Sequence, residues 1–164
     1  DVYELGEHDN HVFIAMELVD GLSLRDLLSL GRPPIEVALE IALEICHGLA
    51  HVHGTTPGPK RRVVVHGDLK PANVLVGWDG AVKVADFGVA QVIAGPQIAG
   101  SGSSWATPAY MSPEQARGEA LEPRSDLFSL GALIYVLGTG VSLFGSKREP
   151  LHRSLMVPWN TIPI

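Results

Sequence analysis

A loop near the middle of the chain carries three side chains suited to phosphoryl transfer. Asp68, Lys70 and Asn73 lie within six residues, between a hydrophobic run and a predicted strand. Phosphoryl transfer needs a carboxylate beside the attacking hydroxyl, a cation on the transferred phosphate and oxygen ligands for Mg²⁺. Asp68, Lys70 and Asn73 could supply these groups in that order, and Asp86 offers a hard carboxylate ligand for the same ion. Each of these polar residues taken alone is better explained by a solvated loop, so the spacing by itself does not identify an enzyme.

The segments before this loop predict the elements that must position it. Residues 2–5 and 12–18 are predicted as strands, and a short helix capped by Ser23 is predicted to end near Leu30. Apolar residues at three- and four-residue spacing predict a long helix over 35–53. We expect its buried face to consist of Ile35, Leu39, Ala42, Leu43, Cys46, Leu49, Ala50 and His53.

The segments after the loop predict further strands and helices. Residues 74–76 and 82–84 flank a turn and predict a hairpin, and a short helix is predicted to begin at Ser112. A second long helix is predicted over 124–139. Its buried side is expected to carry Leu127, Leu130, Ile134 and Leu137. This mixture of strands and helices predicts an α+β fold.

Composition limits the functions that the chain could have. With 164 residues, 46% of them apolar, it can bury the core of about one domain. A formal charge of −6 argues against a nucleic-acid binder, which needs a basic face. The single cysteine, Cys46, cannot form an internal disulfide and is expected to be buried, which fits a cytoplasmic setting. The uncharged run 127–146 is long enough to span a membrane, but its Gly and Ser residues favour a buried helix, so we predict no span.

Four motifs in order along the chain resemble those of protein kinases. Residues 66–73, His-Gly-Asp-Leu-Lys-Pro-Ala-Asn, resemble the catalytic loop, and Asp86-Phe87-Gly88 matches the D-F-G motif. Residues 107–116 resemble the end of the activation segment, and residues 125–131 resemble the start of the central helix of the C-lobe. The motifs are most similar to those of bacterial serine/threonine kinases. The resemblance implies a protein-kinase-like fold, with the end of the N-lobe and the hinge at 1–19, the helical C-lobe at 20–145 and an unassigned tail at 146–164.

The resemblance also implies catalytic and metal-binding roles. Asp68 would be the catalytic base, Lys70 would contact the γ-phosphate of ATP, and Thr107 would reach toward Asp68 from the activation segment. Asn73 and Asp86 would bind Mg²⁺. The activity implied is that of an ATP-dependent protein serine/threonine kinase, whose partners are ATP and a protein substrate.

Further roles implied by the resemblance concern the nucleotide and the support of the loop. Met16, Glu17 and Val19 would form the gatekeeper and hinge that bind adenine, and Leu75 would pack under the adenine ring. The rings of His66 and Phe87 would stack on each other. Asp126 would accept hydrogen bonds from the backbone of the catalytic loop.

Two alternative functions remain open from the sequence. The first is a small-molecule phosphotransferase, because the tripeptide His66-Gly67-Asp68 resembles the motif usual in aminoglycoside and choline phosphotransferases. Lys70 and residues 107–114 fit the protein kinases better. A pseudokinase-like binding module is the other alternative, and the presence of all four of Asp68, Lys70, Asn73 and Asp86 argues against it.

Three features of the kinase family do not occur in this sequence. The glycine-rich phosphate loop and the strand lysine, which both precede the hinge in the family, are absent. No segment corresponds to the last helices of the C-lobe. We therefore expect the chain to be a fragment of a longer cytoplasmic kinase, and the sequence leaves open whether the full-length protein is membrane-anchored. We expect the isolated chain to be inactive and poorly soluble.

Gly67 stands where the family usually has an arginine that pairs with a phosphorylated activation loop. Without that cation, a phosphate on the loop loses its main local partner. We therefore predict that replacing Ser101, Ser103 and Ser104 together by Ala leaves most of the peptide-kinase activity of the full-length protein intact. Loss of all activity in this triple variant would contradict the prediction.

Overall fold

The computed structural model describes residues 2–9, 11–54, 64–87 and 108–144, and these form an α+β fold. Five strands are present in the described residues: β1 (Val2–His8), β2 (His11–Met16), β3 (Gly21–Ser23), β4 (Val74–Gly77) and β5 (Val82–Val84). The α-helices there are α1 (Leu24–Leu30), α2 (Ile35–Gly54), α3 (Pro113–Ala116) and α4 (Pro123–Thr139). The described residues also contain two 3₁₀ turns: Pro71–Asn73 at the end of the predicted catalytic loop, and Pro108–Tyr110 before α3.

The strands form two separate antiparallel sheets. β1 and β2 make a hairpin, and β3, β4 and β5 make a three-stranded sheet in that order. The predicted hairpin of β4 and β5 is confirmed, with Val74 opposite Val84 and Val76 opposite Val82. Strand β3 was missed by the sequence prediction, because three residues beginning with a glycine are too short to show an alternating pattern.

The predicted helices form, and local capping explains where they begin. The Ser23 hydroxyl accepts a hydrogen bond from the backbone N–H of Asp26 at 3.2 Å, which satisfies an otherwise unpaired donor in the first turn of α1. Pro123 occupies the first turn of α4, where a missing N–H costs nothing. Gly140 ends α4 in the left-handed region at φ 72°.

The core lies between the three-stranded sheet and the helices α1, α2 and α4. Its fully buried side chains include Leu24, Leu27, Ile41, Ile45, Leu49, Leu69, Val74, Val76, Leu133 and Leu137. Leu69 belongs to the predicted catalytic loop, so the core anchors that loop directly.

The predicted buried face of α2 is wrong in part. Ala42 and Leu49 are buried, but Leu39 is 59% exposed and Cys46 is also exposed. The face that packs on the core carries Ala38, Ile41, Ala42, Ile45 and Leu49. Apolar residues occupy two overlapping stripes on this helix, and both stripes have helical spacing. The positions of β5 and α4 decide which stripe is buried, and periodicity alone does not contain that information.

The predicted face of α4 is also partly wrong. Leu130 and Leu137 are buried, whereas Leu127 is 55% exposed and Ile134 is 41% exposed. The buried face includes the small and polar residues Ser125, Asp126, Ser129 and Ala132. Within the described part of the chain, no helix combines the length and the apolar character needed to cross a bilayer.

Candidate active site

In the loop before β4, buried apolar residues alternate with the polar ones. Leu69 and Pro71 are buried, so they anchor the loop to the core on both sides of Lys70. A 3₁₀ turn follows, in which the backbone N–H of Asn73 donates to the carbonyl of Lys70 at 2.9 Å. This turn brings the side chain of Asn73 back toward Asp68.

The structure brings Asp68, Lys70 and Asn73 together. Lys70 Nζ donates to Oδ2 of Asp68 at 2.6 Å, and Asn73 Nδ2 donates to the same oxygen at 3.1 Å. Asn73 Nδ2 also donates to the backbone carbonyl of Asp68 at 2.9 Å. Both side-chain donors therefore converge on Oδ2. Among the described residues, no hydrogen bond is made to Oδ1 of Asp68.

A buried carboxylate fixes the loop from beneath, as predicted for Asp126. Its Oδ2 accepts from the backbone N–H of His66 at 2.8 Å, and its Oδ1 accepts from the N–H of Gly67 at 2.8 Å. His53 adds a third contact, with Nε2 at 2.7 Å from Oδ2. Asp126 is only 1% exposed, so these partners replace the water that the charge has lost. Sequence reasoning placed His53 on the buried face of α2 but missed this contact, because Asp126 lies 73 positions further along the chain.

His66 links the loop to the start of the Asp86 motif. Its Nε2 donates to the carbonyl of Ala85 at 3.0 Å, and its Nδ1 accepts from the backbone N–H of Asp68 at 3.2 Å. This pattern requires the neutral ring with its proton on Nε2. Burial lowers the pKa of His66, which favours the same neutral form. The rings of His66 and Phe87 are close, as expected, with centroids 4.6 Å apart, but they are tilted by 44° instead of stacked in parallel.

Asp86 lies beside Asn73 and has an unusual backbone. Its φ of 62° is in the left-handed region, which non-glycine residues seldom adopt outside constrained sites. The backbone N–H of the preceding residue, Ala85, donates to the carbonyl of Asn73 at 2.8 Å, so the two predicted metal ligands lie at the same end of the hairpin. The Asp86 side chain is exposed, and the amide nitrogen of Asn73 points to Asp68. A carboxylate and an amide oxygen form a hard donor set that fits Mg²⁺.

The segment before α4 is fastened to the loop. Gln115 Nε2 donates to the carbonyl of Gly67 at 2.5 Å, and Ser129 Oγ donates to the carbonyl of Tyr110 at 2.7 Å. The hydroxyl of Ser125 donates to Glu114 and holds the pKa of that carboxyl below its usual value. Sequence reasoning missed these contacts. Thr107, the other residue predicted for this segment, lies outside the described residues.

The predicted adenine-binding residues lie where β2 leads into the three-stranded sheet. Met16 ends β2 and is 43% exposed, and Glu17 and Val19 lie in the connection to β3. Leu75 lies opposite Lys83 in the neighbouring strand, so both side chains share one face of the sheet. Lys83 forms an ion pair with Glu17, and this hydrogen bond lowers the pKa of Glu17 to about 2. The connection is therefore tied to the face that carries Leu75.

A surface cleft of about 490 Å³ opens at the same connection. Its lining residues are Glu17, Leu18, Val19, Asp20, Trp78, Asp79, Ala81 and Lys83. Glu17 and Val19, which are predicted to bind adenine, line this cleft, whereas Asp68, Lys70 and Asn73 do not.

Comparison with known proteins agrees with the geometry. The family model described as protein kinase domain matches residues 1–159. The serine/threonine-protein kinase PknL of Mycobacterium tuberculosis is 40% identical over 144 residues, which cover 87% of this chain and 34% of PknL. PknB of Mycobacterium leprae is 38% identical over 145 residues, covering 85% of this chain and 22% of PknB. A probable serine/threonine-protein kinase of Clostridium perfringens, CPE1738, is 37% identical, with 88% of this chain and 20% of the relative covered.

These relatives are all named as serine/threonine-protein kinases, and the chain spans about a third or less of their lengths. The match to the family model includes nearly the whole chain. This match agrees with the four motifs in order, with the contacts of Lys70 and Asn73 to Asp68, and with the buried carboxylate of Asp126. The chain belongs to the protein kinase domain family.

Proposed function

We propose that this chain is part of an ATP-dependent protein serine/threonine kinase. The observation that carries the proposal is the convergence of Lys70 and Asn73 on Oδ2 of Asp68, in a loop locked to the core by Asp126. The cation of Lys70 and the amide nitrogen of Asn73 both donate to the Asp68 carboxylate, so one loop gathers a carboxylate, a cation and an amide group, which phosphoryl transfer requires. A lysine two residues after the aspartate favours a protein substrate over a small-molecule one.

Asp68 acts on the substrate hydroxyl in this proposal. The hydroxyl oxygen forms a bond to the γ-phosphorus of ATP, the bond from that phosphorus to the bridging oxygen breaks, and ADP leaves with the electron pair. The hydroxyl proton passes to the Asp68 carboxylate through Oδ1, since Oδ2 accepts the hydrogen bond from Asn73. On substrate binding Lys70 turns to the transferred phosphate, and Thr107 reaches toward Asp68.

Asn73 and Asp86 would hold Mg²⁺ on the phosphates, where the ion offsets developing negative charge. Asp86 directly follows Ala85, whose N–H donates to the carbonyl of Asn73, so the two residues lie at the same end of the hairpin. Backbone groups of Glu17 and Val19 would bind adenine, with Met16 as gatekeeper and Leu75 beneath the ring. In this scheme residues 1–19 close the N-lobe, residues 20–145 form the C-lobe, residues 146–164 keep no assigned role, and the catalytic domain lies in the cytoplasm, where ATP is present.

The proposal predicts that the full-length protein transfers phosphate from Mg-ATP to Ser or Thr of a protein, and that Asp86→Asn removes most of this transfer. The substitution replaces an anionic ligand by a neutral one, so we expect kcat to fall by about a hundredfold or more. Phosphate incorporation into a general substrate such as myelin basic protein, followed by phosphoamino-acid analysis, measures both results.

Glu40→Gln is the matched control, because it neutralises an exposed carboxylate on α2 far along the helix from the loop. It should leave kcat unchanged. Phosphate transfer at the wild-type rate by Asp86→Asn would contradict the metal-ligand role. A full-length protein that binds Mg-ATP but transfers no phosphate would instead support a pseudokinase-like binding module.

A further inference from the structure

The backbone of Gly67 is held from two sides. Its φ of 72° lies in the left-handed region, which glycine adopts without steric cost. Its N–H donates to Oδ1 of Asp126 at 2.8 Å, and its carbonyl accepts from Nε2 of Gln115 at 2.5 Å. The first contact comes from the buried helix α4 and the second from the short helix α3, so two separate elements meet at this one residue.

The carbonyl of Gly67 belongs to the peptide unit that leads into Asp68. The N–H of the same peptide unit is that of Asp68, and it donates to Nδ1 of His66 at 3.2 Å. Gln115 and His66 therefore hold opposite edges of one rigid plane. The orientation of that plane sets φ of Asp68, and with it the direction in which the Asp68 carboxylate leaves the backbone.

Glycine makes such a clamp necessary. A residue without Cβ has more backbone freedom than any other, so Gly67 alone would let the peptide plane rotate. The 3.2 Å bond to His66 is long for an N–H donor and by itself restrains the plane only weakly. The short bond from Gln115 supplies the stronger restraint.

We propose that Gln115 is a positioning residue for Asp68. Its hydrogen bond to Gly67 couples the segment 108–116 to Asp68. This bond involves no charge, and it is made at the position where the family usually has an arginine. The proposal rests on the kinase activity proposed above. It differs from a packing role for Gln115, because only the donor group of the side chain reaches the Gly67 carbonyl.

Three variants of the full-length protein separate these roles. Gln115→Met keeps the length and volume of the side chain and removes the donor. Gln115→Glu places a carboxylate against the carbonyl, so two acceptors face each other. Arg117→Ala is the matched control, since it alters an exposed ion pair next to α3 without touching the loop. We expect kcat to fall by about tenfold or more in Gln115→Met and by more than that in Gln115→Glu, relative to the wild type. The KM for ATP should stay within about twofold of the wild-type value.

Amide hydrogen exchange tests the same contact without using activity. In wild-type protein the amides of Gly67 and Asp68 should exchange slowly, and in Gln115→Met the Asp68 amide should exchange at least about tenfold faster, with the melting temperature of the domain unchanged. Wild-type kcat in Gln115→Met, or unchanged exchange at Asp68, would overturn the proposal. An inactive wild-type protein whose Asp68 amide is protected by Gln115 would instead contradict the proposed kinase function and leave the positioning contact established.

Discussion

Asp68→Asn is expected to lower kcat of the full-length protein by about a thousandfold, within the range that a positioned general base contributes. Asparagine has nearly the same shape, and its oxygen can still accept from Lys70 and Asn73, so the loop should keep its structure. What it loses is the ability to take the proton of the substrate hydroxyl. The KM for ATP should change little, because in the proposed mechanism Asp68 faces the hydroxyl and other residues hold the nucleotide.

Steady-state kinetics with a peptide substrate measure this effect, and a thermal melt checks that the fold is retained. Lys70→Met gives a useful comparison, because it removes the neighbouring cation without removing the base and should have the smaller effect on kcat. An Asp68→Asn protein that folds normally and retains more than about a tenth of wild-type kcat would contradict the base role.

Asp126→Ala is expected to have the largest effect on stability. It leaves the backbone N–H groups of His66 and Gly67 and the side chain of His53 without the acceptor that they share. Each unsatisfied buried donor costs about 1–3 kcal/mol, so we expect the free energy of unfolding of the kinase domain to fall by about 3–5 kcal/mol. Chemical denaturation of the full-length protein, followed by a signal from the kinase domain, measures the loss.

Ser129→Ala is the matched control on α4. Its hydroxyl is also buried, but within the described part of the chain its partners are the two carbonyls of Tyr110 and Ser125, so its removal should cost about 1 kcal/mol. If Asp126→Ala costs no more than Ser129→Ala, then the Asp126 carboxylate is not the support of the loop that its contacts indicate.

The candidate site was predictable where function restricts residue type and spacing together. Asp68, Lys70 and Asn73 were predicted from one short motif, and the structure gathers them because the turn between them is local. The contact of Asp126 with the loop was also predicted, through the family resemblance. These residues carry chemistry or satisfy buried charge, so few other residue types could take their places.

The remaining features depend on tertiary contacts that leave no mark in the local sequence. Leu39 and Cys46 lie on an apolar stripe of α2, but the neighbouring stripe faces the core. His53 and Gln115 are ordinary residues of a helix until α4 and the catalytic loop pack beside them. The left-handed backbone of Asp86 was likewise not predicted, because an aspartate in an extended segment gives no warning of such a conformation.

The three contacts of Asp126 also determine when the site can form. Its loop partners His66 and Gly67 precede it by 60 and 59 positions, and His53 precedes it by 73. Closing such long stretches of chain is slow, because the entropy is lost before the contacts are made. During synthesis these three contacts cannot form until α4 has left the ribosome and docked, so the loop takes its final geometry only after α4 is in place.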